Sequence, residues 1–109
     1  MTETSARSFR TLDQSERLPD DYVNAYYLPD LKRRVAVARV QGQLSAFDEL
    51  CPHDACPLSS GLLTGTTLMC QCDGSQFDLT TGAVLRGPAA DPLTRYPVRE
   101  QDGELQVAV

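Results

Sequence analysis

All four cysteines and the single histidine of this 109-residue chain lie between Cys51 and Cys72. They form two short boxes, Cys51-Pro-His53-Asp-Ala-Cys56 and Cys70-Gln-Cys72-Asp73-Gly74-Ser75, with thirteen residues between Cys56 and Cys70. Cys51 and His53 alternate along one loop, so both can face one centre, and Cys70 with Asp73 can face it from the other loop. Two thiolates from different loops, one imidazole and one further donor suit a 2Fe–2S cluster or a tetrahedral zinc. Cys56 and Cys72 are left over, one per box. They could tie the loops together as a disulfide if their Cα atoms lie within about 7 Å.

The flanking chain reads as strands and turns. Ser8 to Leu12 is expected as a first strand, followed by the aromatic, β-prone run Tyr22 to Leu28 between Pro19-Asp-Asp21 and Pro29-Asp30. Arg34 to Val40 and Gln43 to Asp48 surround Gln41-Gly42 and predict a β-hairpin. Between the boxes, Gly61 and Gly65 flank a short apolar piece, and Thr66 to Cys70 reads as a strand entering the second box. Ser75 to Asp78 and Ala83 to Arg86 predict a hairpin around Thr80-Thr-Gly82. Arg95 to Glu100 and Glu104 to Val109 predict another around Asp102-Gly103. No apolar pattern recurs at helical spacing over ten or more positions with caps. Short strands punctuated by turns predict an all-β fold, a small sandwich or barrel.

Fifteen acidic against ten basic residues give a net charge of −5, which argues against nucleic acid and suits a carrier steered to a basic partner face. Lys32-Arg33-Arg34 is the one basic run and reads as a solvated turn. No apolar run is long enough to span a bilayer, and MTETSARSFR has no apolar signal-peptide core, so a cytoplasmic protein with no membrane partner is expected. In that compartment clustered cysteines read first as ligands or redox groups. The length suits one domain over 8–109, its cluster-binding part at about 49–78, with a frayed end at 1–7.

The two boxes resemble those of Rieske iron–sulfur proteins, C-x-H-x-G-(C) and C-P-(C)-H-G-S. The likeness extends over roughly residues 35–109: Ala46-Phe-Asp-Glu-Leu-Cys-Pro-His53, Pro57-Leu-Ser-Ser-Gly61, Phe77-Asp78, Thr81-Gly82, Gly87-Pro88-Ala89 and Pro92-Leu93-x-x-Tyr96-x-Val98 follow in the family's order. The resemblance implies an antiparallel β-sandwich or barrel with an inserted subdomain of two cluster-binding loops. It implies one 2Fe–2S cluster, with Cys51 and Cys70 on the inner iron, His53 on the outer iron and Gly87-Pro88-Ala89 as a covering loop. Ser75 takes the place of a hydroxyl donor to a cluster sulfur. Cys56 and Cys72 occupy the positions of an inter-loop disulfide. The implied function is a monomeric one-electron carrier, not an enzyme, that moves electrons from a reductase to an oxygenase.

Three departures stand out. The family's second histidine ligand falls on Asp73, and there is no other histidine, so a two-histidine cluster cannot form. Phe77 stands where high-potential members have a tyrosine hydroxyl. Ala55 replaces a common glycine, a minor change if φ there is negative. An Asp73 carboxylate on the outer iron would add one negative charge and lower the potential, to the low part of the usual range of about −150 to +300 mV or below it. Asp73 can instead be a turn residue beside Gly74, and Cys72 can replace it as ligand. The contrasting class is a cluster-free interaction module or a subunit of a larger reductase.

Overall fold

A computed structural model describes residues 9–52 and 55–109. The chain runs β1 (Phe9–Gln14), β2 (Tyr22–Leu28), β3 (Arg33–Val40), β4 (Gln43–Asp48), β5 (Leu62–Thr64), β6 (Thr67–Met69), β7 (Gln76–Asp78), β8 (Val84–Arg86), β9 (Arg95–Tyr96), β10 (Val98–Gln101) and β11 (Glu104–Ala108). Two short 3-10 turns, Ser15–Arg17 and Leu58–Ser60, are the helical elements among the described residues. The predicted all-β class and its hairpins are observed. Gln41-Gly42 and Asp102-Gly103 each place two successive residues at positive φ, the turn that matches strand twist. The frayed end expected at 1–7 lies outside the described residues, as does Ser8 of the first strand.

Three antiparallel sheets form, ordered β1-β11-β10, β2-β3-β4-β9 and β5-β6-β7-β8. The second sheet lies in the middle, and the sequence of β3 shows how. Val35 and Val37 face a core with Leu18, Leu28, Ala46, Leu105 and Val107 under the first sheet. Ala36 and Ala38 face the opposite way, into a core with Phe47, Leu68 and Phe77 under the third. All four are buried, so β3 is apolar on both faces, as a strand covered on both sides must be. Small side chains on one face leave room for Phe47 and Phe77, both fully buried.

One sequence expectation is corrected. Residues 95–100 form two strands that separate at Pro97: β9 pairs with β4, and β10 pairs with β11. Proline has no N–H to continue a ladder, so the chain passes between sheets there, while the Pro97 carbonyl still accepts the Ala108 N–H at 3.0 Å.

Candidate metal centre

The two boxes fold as a matched pair of knuckles. In the first, which follows β4, the Cys51 N–H donates to the Cys56 carbonyl and the Ala55 N–H returns to the Cys51 carbonyl, both at 2.8 Å. In the second, between β6 and β7, the Cys70 N–H donates to the Ser75 carbonyl at 2.7 Å and the Gly74 N–H to the Cys70 carbonyl at 2.9 Å. Each knuckle therefore reverses within six residues and needs left-handed backbone at its fifth. Gly74 has φ 81° and Ala55 has φ 61°. The condition attached to Ala55 is thus not met: φ is positive, and its Cβ makes the turn costlier than glycine would.

Each knuckle is braced from outside. Glu49, almost fully buried, accepts the Ser59 N–H at 2.9 Å and the Ser59 hydroxyl at 2.5 Å, while its own carbonyl accepts the Leu58 N–H at 2.7 Å. The strand entering the first knuckle is thereby clamped to the turn leaving it. Sequence reasoning misses Glu49, because an acid beside Asp48 reads as surface. In the second knuckle, Ser75 is fully buried and its Oγ accepts the Ala89 N–H at 2.9 Å, which pins the Gly87-Pro88-Ala89 loop. That bond uses an acceptor lone pair, so the hydroxyl proton can be donated elsewhere. Gly87 and Pro88 are exposed. Gly61 joins the two knuckles: a Cβ there would meet the Met69 carbonyl oxygen at 2.2 Å, immediately before Cys70.

The side chains converge as the spacing suggests. The Sγ atoms of Cys51 and Cys70 and a carboxylate oxygen of Asp73 all lie within 4.8 Å of one another. Cys51 and Cys70 are buried in the same core as Leu58, Leu68 and Phe77, and Asp73 is half-buried above them. Cys56 and Cys72 form a disulfide across the knuckles, with Cα atoms 6.4 Å apart. The sulfurs of Cys56, Cys70 and Cys72 also lie within 4.8 Å of one another, but while Cys72 is bonded to Cys56 it has no thiolate to offer a metal. Asp73 Oδ1 also accepts the Ser75 N–H at 2.8 Å. A carboxylate has two oxygens and about four lone-pair sites, so this turn bond and metal ligation are compatible. His53 lies outside the described residues. Two buried thiols and a carboxylate aimed at one point form a donor set that fits an iron–sulfur cluster.

The profile of the Rieske [2Fe-2S] domain matches residues 9–97. The chain belongs to the Rieske [2Fe-2S] domain family. The 3-phenylpropionate/cinnamic acid dioxygenase ferredoxin subunit of Photorhabdus laumondii is 35% identical over 96 residues, covering 86% of this chain and 88% of that protein. The Sphingomonas yanoikuyae B1 ferredoxin superposes with a TM-score of 0.86 at 30% identity, covering 94% of this chain and 99% of that one. A chain in the complex of reduced oxygenase and oxidized ferredoxin of carbazole 1,9a-dioxygenase superposes at 0.85 with 26% identity, covering 92% of each chain. The Rieske fold expected from the boxes is therefore the fold observed. No helix among the described residues is long and apolar enough to cross a membrane.

Proposed function

We propose that this chain is a Rieske-type ferredoxin, an electron carrier that serves an oxygenase and is not itself an enzyme. The observation that carries the reading is the gathering of Cys51, Cys70 and Asp73 ligand atoms within 4.8 Å of one another. The relatives named as ferredoxin components of dioxygenase systems support it, as does the likeness to a chain of a ferredoxin–oxygenase complex. A bound 2Fe–2S cluster supplies reversible one-electron transfer at a site with no substrate chemistry of its own.

Four residues would hold the cluster: Cys51 and Cys70 as buried thiolates, His53 and Asp73 as the outer pair. Burial of the two cysteines among Leu58, Leu68 and Phe77 keeps water from the inner side. The Cys56–Cys72 disulfide fixes the span between knuckles, and Ser75 holds the covering loop while keeping a proton to donate. Phe77 offers no hydroxyl in the core behind Cys70. An anionic oxygen at Asp73 in place of a neutral imidazole stabilises the oxidised state, so the potential falls below that of a two-histidine centre. With one imidazole, the potential also varies less steeply with pH. Docking uses the tip of His53 and Gly87-Pro88, of which Gly87 and Pro88 are exposed, and the electrons come from a reductase.

The test is iron and acid-labile sulfide content of anaerobically purified protein, with an EPR spectrum after dithionite. Two irons and two sulfides per chain, with a signal shifted from that of all-cysteine clusters, are expected. No iron and no signal after reconstitution would overturn the reading and leave a cluster-free interaction module.

A further inference from the structure

We infer that the groove beside the first knuckle docks an acidic, carboxylate-bearing segment of a protein redox partner; this rests on the electron-carrier reading. The end of β2, the turn into β3 and the chain joining β4 to Cys51 enclose an open groove of about 570 Å³. Its charged rim is Lys32, Arg33 and Arg34, three of the ten basic residues in a chain with fifteen acidic ones. Its apolar surface is Tyr27, Leu31 and Leu50, exposed by 56%, 43% and 50%. These are half of the large exposed hydrophobic residues among the described ones, gathered in one place.

The cations are held ready rather than neutralised. The Arg33 guanidinium lies 6.0 Å from the centroid of the Tyr96 ring and donates to its hydroxyl at 3.3 Å, and Arg34 lies 5.9 Å from that of Tyr27. The one carboxylate in the groove, Asp48, accepts the Tyr96 hydroxyl at 2.5 Å. Ion pairs among the described residues use Arg10, Arg17 and Arg39, and none uses Lys32, Arg33 or Arg34. Lys32 holds φ 50°, where glycine or asparagine would sit more cheaply, yet a cation stands there.

The shape selects the class of partner. A small anion would use the charges and leave the apolar surface wet, whereas a peptide alternating carboxylates with apolar side chains satisfies both. Nucleic acid would meet the same three cations but bring no aliphatic side chains to cover Leu31 and Leu50. Leu50 directly precedes Cys51, so a segment seated here touches the chain one residue from a thiolate of the centre. The groove would thereby fix the rotation of a partner whose contact at the tip transfers the electron.

The experiment is fluorescence anisotropy of a labelled peptide alternating Glu and Leu, titrated with iron-loaded protein. Binding that weakens with salt is expected, with a loss of about tenfold or more in K32E/R34E. Leu31→Ser and Tyr27→Ser should weaken it by several-fold at unchanged salt dependence. The same affinity in wild type and K32E/R34E, or no binding, would overturn the inference. So would equal competition by inorganic phosphate or by a single-stranded oligonucleotide. The EPR spectrum of reduced K32E/R34E should match wild type, which shows an intact centre. Peptide binding by a chain that cannot take up iron would sink the carrier reading and leave the surface standing.

Discussion

In both knuckles the cysteine N–H reaches the carbonyl five residues on, and the N–H four residues on reaches back to the cysteine carbonyl. The frames match, but the residues on them do not. The first carries His53 and turns on Ala55 at φ 61°; the second carries Asp73 and turns on Gly74 at φ 81°. The first is clamped by the buried carboxylate of Glu49, the second by the buried hydroxyl of Ser75. Main-chain hydrogen bonds give the two cysteines matching local frames, so the outer donor and the brace can differ between knuckles.

The most damaging way to break this pairing is at the shared contact. Gly61→Ala would drive a Cβ against the Met69 carbonyl, where backbone must give way on both sides. We expect a loss of about 3 kcal/mol in urea unfolding together with reduced iron occupancy. Retained stability with full occupancy would mean the knuckles are positioned independently. Next come the braces. Ser75→Ala orphans the buried Ala89 N–H, and Glu49→Ala orphans the Ser59 N–H, each costing about 1–3 kcal/mol. The two variants should differ in kind: only Ser75→Ala should loosen the covering loop, which amide exchange at Ala89 would report.

The turn residues sharpen the comparison with opposite signs. Ala55→Gly should stabilise by about 1 kcal/mol, while Gly74→Ala should destabilise by a similar amount. The added Cβ at Gly74 meets nothing within 4 Å, so backbone strain alone sets its cost. Thermal unfolding midpoints should move in opposite directions, by about 5 °C each. The last effect is one of pH. Burial, followed by the bond to Asp48, pushes the Tyr96 hydroxyl up to about 12. Its neutral form therefore adds stability that is complete below pH 10 and is lost as the pH rises from about 10 to 12. Burial also raises Tyr26, so phenolate absorbance should show late-ionising tyrosines, of which Tyr96→Phe removes one.

Much of this was legible in the sequence. Alternating Val and Ala in β3, the Gln41-Gly42 and Asp102-Gly103 turns, and the spacing of the boxes carry local signals that the fold obeys. The spacing allowed Cys51, Cys70 and Asp73 to meet, while the Cys56–Cys72 bridge was implied by the family resemblance and is present in the structure. What the sequence hid is tertiary. The sign of φ at Ala55 is dictated by hydrogen bonds that glycine would merely have advertised. Glu49 is buried and bonded to the 3-10 turn at Leu58–Ser60, a partner ten residues away that no local pattern announces. The run from Arg95 to Glu100 changes sheets at Pro97 because its two halves have different partners, β4 and β11. Lys32-Arg33-Arg34 reads as a solvated turn until Tyr27, Leu31 and Leu50 are seen to share its groove.

The proposed role of Asp73 as a ligand is tested by the reduction potential of wild type against Asp73→His, measured across pH on iron-loaded protein. The account predicts a higher potential for Asp73→His, because one negative charge leaves the outer iron, and a steeper pH dependence, because a second imidazole joins the first. Identical potentials and identical pH slopes would contradict it and return Asp73 to the role of a turn residue.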